Sequence, residues 1–312
     1  MKLVIQIPAW NEEESLGGTL EALPREVPGF DRVEVLVIDD GSTDRTREVA
    51  AEHGARVLAM PGHRGLAMSF AAGLRESLRM GADVIVNTDA DNQYDASCIP
   101  DLVAPILRGE ADMVIGDRGV ASLPHFSPTK RLLQSLGSWV VRKLSGTEVR
   151  DATSGFRAIS RAAATRLHVF TRFTYTLETI LQAGEAGLRV VSVPIRVNEG
   201  PQRPSRLFRS NLGYVVRSLE SMARVVVLYN PLRVFLRLGT LPILAGLLLL
   251  LRFLYLSLGG DGGHLQSLIL AVVLVVVGVQ IAVVGLVADL IAVNRRLVEE
   301  LLEAQRDRSG DD

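Results

Sequence analysis

The sequence predicts an α/β domain on a mostly parallel sheet, followed by amphipathic interface helices and a C-terminal hairpin of two transmembrane helices. Three observations carry that prediction. Short apolar segments alternate with helix-patterned segments through residues 1–198. A basic, helix-patterned stretch follows over 199–234. Two apolar runs of 21 residues then occupy Leu238–Leu258 and Leu268–Ala288, and the mean hydropathy of the whole chain is +0.25, more than a globular core alone would give.

Apolar strands are expected at Leu3–Ile7, Val33–Ile38, Arg56–Met60, Asp83–Asn87, Asp112–Ile115 and Arg189–Pro194. Helical spacing places helices at Glu13–Leu23, Asp44–His53, Gly65–Met80, Ser97–Leu107 and Tyr175–Glu185. Buried strands alternating with helices build a sheet covered on both faces, and ligands then bind beyond the carboxyl ends of the strands. Between 200 and 240 there are seven Arg and one acidic residue, Glu220, a net of +6. Leu212, Val215, Val216, Leu219, Met222, Ala223 and Val226 recur there at helical spacing, which suits a helix lying on an anionic membrane surface. The alternative is a helix packed on the globular domain.

An apolar helix of about 20 residues spans the hydrocarbon layer. The first run is interrupted only by Arg252, which can snorkel from near the helix end, and the second holds no charge and one Gln280. A hairpin inside a protein core is the competing interpretation. Arg217, Arg224, Arg233 and Arg237 precede the first run, Arg295 and Arg296 follow the second, and the loop between them has no Lys or Arg. Both termini and the globular part are therefore expected on the cytoplasmic side of the cell membrane. Arg237 and Asp289, near the same ends, are expected to pair. The opening MKLVIQIPAW suits a first strand rather than a signal peptide. Expected boundaries are 1–205 for the α/β domain, 206–233 for the interface helices, 234–294 for the two spans and 295–312 for a cytoplasmic tail.

Charge and composition narrow the function. With 34 basic and 35 acidic residues the net charge is −1, which argues against a nucleic-acid partner. An apolar content of 48% excludes a disordered chain. The single cysteine, Cys98, cannot form an internal disulfide, which suits a reducing compartment.

Three polar motifs fall at strand ends. Pro8-Ala9-Trp10-Asn11-Glu12-Glu13 offers an aromatic ring and a carboxylate suited to a base or ribose, although Asn11 or a neighbouring acid equally serves as a helix cap. Val37-Ile38-Asp39-Asp40-Gly41-Ser42-Thr43-Asp44 reads as a turn and cap, but adjacent carboxylates repel and require an offset. Asn87-Thr88-Asp89-Ala90-Asp91-Asn92-Gln93 places two carboxylates two residues apart, on one side of an extended backbone. Such oxygen ligands suit Mg²⁺ or Mn²⁺ shared with substrate phosphates.

In this order PAWNEE, VIDDGSTD, TDADNQ and the later Gly116-Asp117-Arg118 resemble family 2 glycosyltransferases of the GT-A fold. With the basic segment and two apolar runs, the chain is similar to polyprenyl-phosphate glycosyltransferases of the dolichyl-phosphate mannose synthase type. The resemblance implies a Rossmann-like, mixed but mostly parallel sheet. It implies that Pro8, Trp10, Glu12, Val37 and Asp39 hold the nucleoside, that Asp89 and Ala90 lie against ribose and sugar diphosphate, and that Asp91 and Gln93 ligate the metal. Arg118 would reach the donor phosphates, the acceptor phosphate or both, making Asp89, Asp91 and Arg118 the catalytic set.

Arg131 and Ser135, four apart on a helix, can bind a phosphate monoester on one face. Arg203 and Arg206 precede the interface helix, and the resemblance favours Arg206 for the acceptor phosphate. Only Lys2, Lys130 and Lys143 are lysines, so a lone Arg carries little information in this chain. Asp151 and Ser154 of Asp151-Ala152-Thr153-Ser154-Gly155-Phe156-Arg157 are expected to line the sugar pocket, or to form a turn into another strand. His53, His63, His125 and His168 show no metal spacing. The Gly62-His63-Arg64-Gly65 turn is similar to a family loop, but Leu66 stands where a basic residue is common.

Two departures inform the acceptor. The Gln-x-x-Arg-Trp motif of processive synthases is absent, and Leu177-Glu178-Thr179 lacks the aspartate that serves as base toward hydroxyl acceptors in such families. A lipid phosphate, with a second pKa near ~6, is already an ionised nucleophile. The expected activity is inverting transfer of one sugar from a nucleotide-diphosphate sugar, GDP-mannose before UDP-glucose, to polyprenyl or dolichyl phosphate. The alternatives are transfer to a diacylglycerol or ceramide hydroxyl, and a non-catalytic nucleotide-sugar-binding scaffold. Self-association through the transmembrane helices is a further expectation.

Overall fold

The computed structural model describes residues 1–119, 128–169, 175–198, 220, 223–224, 227, 230–258 and 265–309, with the backbone alone at 128–134, 295–296 and 299–309. Arg203, Arg206 and most of the expected interface helices lie outside the described residues. The chain divides into two units, one of Met1–Leu219 with Glu303–Asp312 and one of Glu220–Leu302.

The first unit is built on seven strands: β1 (Lys2–Ala9), β2 (Arg32–Asp39), β3 (Arg56–Ala59), β4 (Val84–Asn87), β5 (Met113–Asp117), β6 (Arg157–Ser160) and β7 (Val190–Pro194). They form one sheet in the order β3-β2-β1-β4-β6-β5-β7. β6 runs antiparallel to both β4 and β5, and the other pairings are parallel. The six expected strands are present. β6 enters through the turn after Asp151, the lesser of the two readings of that motif. The sheet is therefore mixed but mostly parallel, as the resemblance implied.

Strand side chains alternate between two apolar layers. Leu3, Ile5 and Ile7 join Val37, Val84, Val86 and Val114 on one face. There they meet α1 (Leu16–Ala22), α2 (Thr46–Glu52) and α4 (Ile99–Leu107) through Leu16, Ala50, Ile99 and Leu102. Val4, Leu36, Ile38, Ile85 and Ile115 line the other face, under α3 (Leu66–Arg79), α5 (Pro128–Ser145), α6 (Arg161–Arg166) and α7 (Tyr175–Glu185). Two helices start later than their apolar spacing suggests. Glu13 and Asp44 are drawn into bonds between the loops: Glu13 N donates to Asp44 Oδ2, and Arg45 N donates to Glu13 Oε2.

Chain order reverses at β1, which lies between β2 and β4. The loops after β1 and β4 therefore diverge at their carboxyl ends and open the crevice where such sheets bind ligands. The helices behind that crevice pack closely. A Cβ at Gly184 of α7 would collide with the Ser145 carbonyl of α5.

In the second unit α8 (Pro231–Leu258) and α9 (Leu265–Ser309) contain the two apolar runs. Only 11% and 17% of their most apolar stretches are buried, whereas the core helices of a soluble hairpin would be mostly buried. Both are long and apolar enough to cross a membrane. They touch through small residues. A Cβ on Gly239 would lie 2.7 Å from Gly278 O, and one on Gly246 would lie 2.7 Å from Ala271 O. Such contacts let helix backbones approach where lipid offers no hydrophobic drive. The expected Arg237–Asp289 pair does not form among the described residues. Glycine contacts, rather than that charge pair, join the helices.

The α5–α7 contact is open to a direct test. Gly184→Ala should destabilise the protein by about 2 kcal/mol, since the backbone of Ser145 cannot yield cheaply. That corresponds to a melting temperature lower by roughly 4–8 °C. Gly18→Ala, inside helix α1 and with its Cβ at an ordinary 3.7 Å from Asn92 Nδ2, should not lower the melting temperature and should raise it slightly through helix propensity in the same differential scanning measurement.

Candidate active site

The loops after β1 and β2 are laced together. Asn11 N donates to Ser42 Oγ at 2.9 Å, Thr43 N to Asn11 Oδ1 at 2.8 Å, and Glu12 N to Thr46 Oγ1 at 2.9 Å. Asn11 holds φ +54°, a left-handed conformation tolerated by asparagine. This lacing leaves Trp10 40% exposed at the strand end, while Pro8 and Ala9 stay buried. The Glu12 carboxylate accepts from Ser15 Oγ at 2.5 Å.

Both carboxylates of Asp39-Asp40 have partners that relieve their repulsion. Asp39 accepts from Ser42 N at 3.0 Å and from Arg47 Nε at 2.5 Å. Asp40 accepts from Arg64 N and Gly65 N, both at 2.8 Å, ahead of α3, and lies 2.9 Å from His63 Nδ1. Asp39 and Val37 are both 0% exposed. They form the wall behind the crevice, and Arg47 would have to release Asp39 before that carboxylate could meet a base. The His63 ring, oriented by Asp40, stacks on Trp10 with centroids 4.1 Å apart. Sequence spacing gave His63 no role, because this contact joins two loops far apart in the chain.

The third motif follows β4. Ala90 is buried, and its carbonyl accepts from Thr19 Oγ1 at 3.0 Å. Asp91 is exposed, Gln93 N donates to its Oδ1 at 3.1 Å, and Asn92 between them has φ +54°. Asn198 Nδ2 anchors this loop by donating to Asn92 O at 2.9 Å. Burial raises the Asp89 pKa to about 7; the Asp91 charge adds to the rise and Arg118 opposes it. Asp91 is raised as well: protein crowds its carboxyl although the residue opens to solvent, and Glu12 adds repulsion. Asp89, Asp91, Glu12 and Arg118 thus share one electrostatic environment.

Arg118 is positioned from the opposite side. Its Nε and Nη2 donate to the two oxygens of Asp151 at 2.7 and 3.0 Å, and Nη2 also donates to Thr153 Oγ1 at 2.8 Å. Burial disfavours its charge, but Tyr94, Asp151 and Asp89 outweigh that, so it stays protonated. Burial likewise disfavours an ionised Asp151, and the bidentate Arg118 contact more than offsets it, holding that carboxyl below its usual range. Asp151 is therefore occupied with Arg118, and Ser154 is fully buried.

Residues without an assigned role complete the floor. Tyr94 hydrogen-bonds Asp89, and its hydroxyl accepts from Gly155 N at 3.0 Å. A Cβ on Gly155 would stand 2.8 Å from Asp89 Oδ1, so only glycine fits there. Asn87 Nδ2 donates to Gly155 O at 2.8 Å and to Tyr175 Oη at 3.1 Å. Arg157 is 0% exposed and donates to Ser154 O, Ala152 O, Thr176 O and Thr179 Oγ1. Of the acceptor residues, Ser135 stands exposed on α5, Arg131 is placed on α5 by backbone alone, and Arg206 lies outside the described residues.

Among the described residues no three His, Cys, Asp or Glu gather to hold a metal ion. Asp91 and Gln93 could supply only part of a coordination shell. That fits a hard cation completed by substrate oxygens, and the mutual repulsion of Asp89 and Asp91 favours positive charge beside them.

The family model for glycosyl transferase family 2 matches residues 4–167. Over 227 residues the chain is 30% identical to an undecaprenyl-phosphate mannosyltransferase of Micrococcus luteus, covering 69% of this chain and 91% of that one. Over 202 residues it is 30% identical to a dolichyl-phosphate hexose transferase of Haloferax volcanii, covering 63% and 83%. A crystal structure of glucosyl-3-phosphoglycerate synthase from Mycobacterium tuberculosis, with Mn²⁺, UDP and phosphoglyceric acid, shares the fold. Its TM-score is 0.55 at 23% identity, over 71% of this chain and 78% of that one. A mixed seven-stranded sheet with its acidic loops at the reversal of strand order, and a family match across more than half the chain, lead to one conclusion: the chain belongs to glycosyl transferase family 2.

Proposed function

We propose that the chain transfers one sugar from a nucleotide-diphosphate sugar to a polyprenyl or dolichyl phosphate at the cytoplasmic membrane face, with inversion at the anomeric carbon. GDP-mannose is the favoured donor and UDP-glucose the next. The observation that carries this reading is Thr179. In hydroxyl-acceptor families an aspartate base follows the glutamate at this point of α7, where this chain has Glu178-Thr179. Here the Thr179 hydroxyl accepts from Arg157 Nη1 at 2.8 Å and donates to Tyr175 O at 2.8 Å. It is unsuited to proton removal. An acceptor phosphate needs none, because it arrives ionised. The Micrococcus undecaprenyl-phosphate mannosyltransferase and the Haloferax dolichyl-phosphate hexose transferase support the same acceptor class.

Trp10 and Pro8, with Val37 and Asp39 behind them, receive the nucleoside, and Glu12 bonds the ribose. Asp89 and Ala90 face the sugar diphosphate. Asp91 and Gln93 would hold a divalent ion, which would supply positive charge to offset the leaving diphosphate. Arg118, fixed by Asp151 and Thr153, adds a guanidinium that need not reorganise during reaction. Arg131, Ser135 and Arg206 hold the acceptor phosphate in line. One phosphate oxygen bonds the anomeric carbon as the carbon–oxygen bond to the diphosphate breaks, and the nucleoside diphosphate departs. Catalysis is then positioning and charge stabilisation.

Purified full-length protein supplied with polyprenyl phosphate and a panel of GDP-, UDP- and dTDP-sugars should yield a lipid-linked monosaccharide, and the matching free polyprenol should yield none. Product on diacylglycerol or ceramide instead, or donor binding without turnover on any lipid, would refute the acceptor assignment. Asp91→Ala should lower turnover by about 10²-fold or more, a loss typical of removing charge stabilisation, with an unchanged melting temperature. Chelation should stop the wild-type reaction and added Mn²⁺ or Mg²⁺ should restore it. Wild-type turnover in the variant would refute the metal role of Asp91.

A further inference from the structure

His63 takes no part in the reaction proposed above, yet its ring lies on Trp10, with centroids 4.1 Å apart and planes inclined by 25°. Rings this close are in direct contact and leave no room for a third ring between them. The place of the contact follows from the order of the sheet. Trp10 follows β1 and His63 follows β3, and β2 lies between those two strands. To reach Trp10 the imidazole therefore crosses the carboxyl end of β2, where Asp39 and Asp40 stand, and its Nδ1 comes within 2.9 Å of Asp40 Oδ2. A base that touches Trp10 and Asp39 together needs this same space.

The turn that carries His63 cannot back away as a body. A Cβ on Gly41 would lie 2.6 Å from Gly62 C and 2.7 Å from His63 N, so the loop after β2 is packed directly on the backbone of this turn. Arg64 N and Gly65 N are both bonded at 2.8 Å to the buried Asp40 carboxylate. A slot for a base therefore does not open by separating the two loops. The His63 side chain can move instead: it is 49% exposed and can turn toward solvent about its own bonds. Leaving Trp10 breaks the ring contact and the Asp40 contact, so the turn outward has a cost.

We propose that the His63 imidazole is a place-holder on the donor platform: it covers Trp10 in the empty site and must swing off before a nucleobase can stack there. This rests on the reading of Trp10 and Asp39 as nucleoside residues. A nucleotide then binds only the fraction of molecules whose ring has swung away, which lowers its apparent affinity. That reduction belongs to the protein, so it is the same for every base. A residue that held the base would instead act differently on guanine and uracil, because their hydrogen-bonding edges and stacking areas differ.

Trp139→Phe leaves Trp10 as the sole tryptophan of the full-length chain and makes its emission a reporter. Titration of this protein with GDP, UDP or dTDP, each with Mg²⁺, should change Trp10 emission on binding. Adding His63→Ala should make Trp10 more accessible to acrylamide before nucleotide is added. It should also tighten every nucleotide that binds by one common factor of about threefold to tenfold, the ratio set by an aromatic pair of ordinary strength. His63→Phe, which keeps a ring over Trp10, should return the affinity toward its starting value. Weaker binding in His63→Ala, or a factor that differs between bases, would mean that His63 holds the base and would overturn the proposal. Unchanged affinity would mean that the ring does not compete; it would overturn the proposal and leave Trp10 in the donor site, since its emission still responds. If no nucleotide alters Trp10 emission although the protein consumes nucleotide sugar, the nucleoside assignment of Trp10 fails and the place-holder with it.

Discussion

Arg157 has no solvent exposure, and its hydrogen-bond partners among the described residues are all neutral: Ser154 O, Ala152 O, Thr176 O and Thr179 Oγ1. A guanidinium taken out of water costs several kcal/mol unless its donors are satisfied. Here four of its five N–H groups are, and the ring of Tyr175 lies 5.6 Å below. Burial lowers its pKa, but an arginine remains protonated in proteins. It thereby ties the 151–155 turn to the first residues of α7. The turn in turn presents Asp151 and Thr153 to Arg118 and brings Gly155 against Asp89. Asp89 and Arg118, two of the three residues proposed as catalytic, are thus set by a side chain that cannot itself reach a substrate.

This arrangement also explains the electrostatics. Arg118 and Arg157 lower the Asp89 pKa, yet its burial and the Asp91 charge prevail and raise it. Carboxylate charge thus outweighs the two guanidinium charges at Asp89, beside the place proposed for the diphosphate. Asp151 draws much of the charge of Arg118 toward itself, so that guanidinium cannot neutralise Asp89, Asp91 and a diphosphate together. The cation proposed above, shared between Asp91 and the substrate, would remove the conflict. The fold provides the pair at the reversal of strand order because β1 and β4 are neighbours whose following loops turn apart.

How much of this was legible in the sequence depends on whether an interaction is local. Six strands show as apolar runs because helices cover the sheet on both faces and most strand positions meet an apolar layer. β6 does not: it is four residues, begins with Arg157, and offers only Ala158 and Ile159 to the two layers. The Asp89-Ala90-Asp91 spacing is local chemistry and was readable. The service of Asp40 to the start of α3 was not, since its amide partners lie 24 and 25 residues away. The same holds for the Trp10–His63 stack. Asp39 shows what a local reading leaves out: an acid at a strand end looks available to a ligand, and the fold also pairs it with Arg47 and Ser42.

The net charge of −1 conceals a separation of charge that the proposed chemistry requires. Acidic side chains collect at the ends of β1, β2 and β4, where a metal-bound donor suits them. Basic ones collect on α5 and between residues 200 and 240, where they suit lipid phosphates. A donor diphosphate and an acceptor phosphate repel each other, so a site that joins them must bring positive charge from two sources. On the donor side a cation held by carboxylates can be exchanged along with the spent nucleoside diphosphate. On the acceptor side fixed arginines serve better, because the lipid product keeps its phosphate and only has to diffuse away within the membrane. In the proposed reaction, acids for one phosphate and arginines for the other match which partner would have to leave the membrane surface after each turnover.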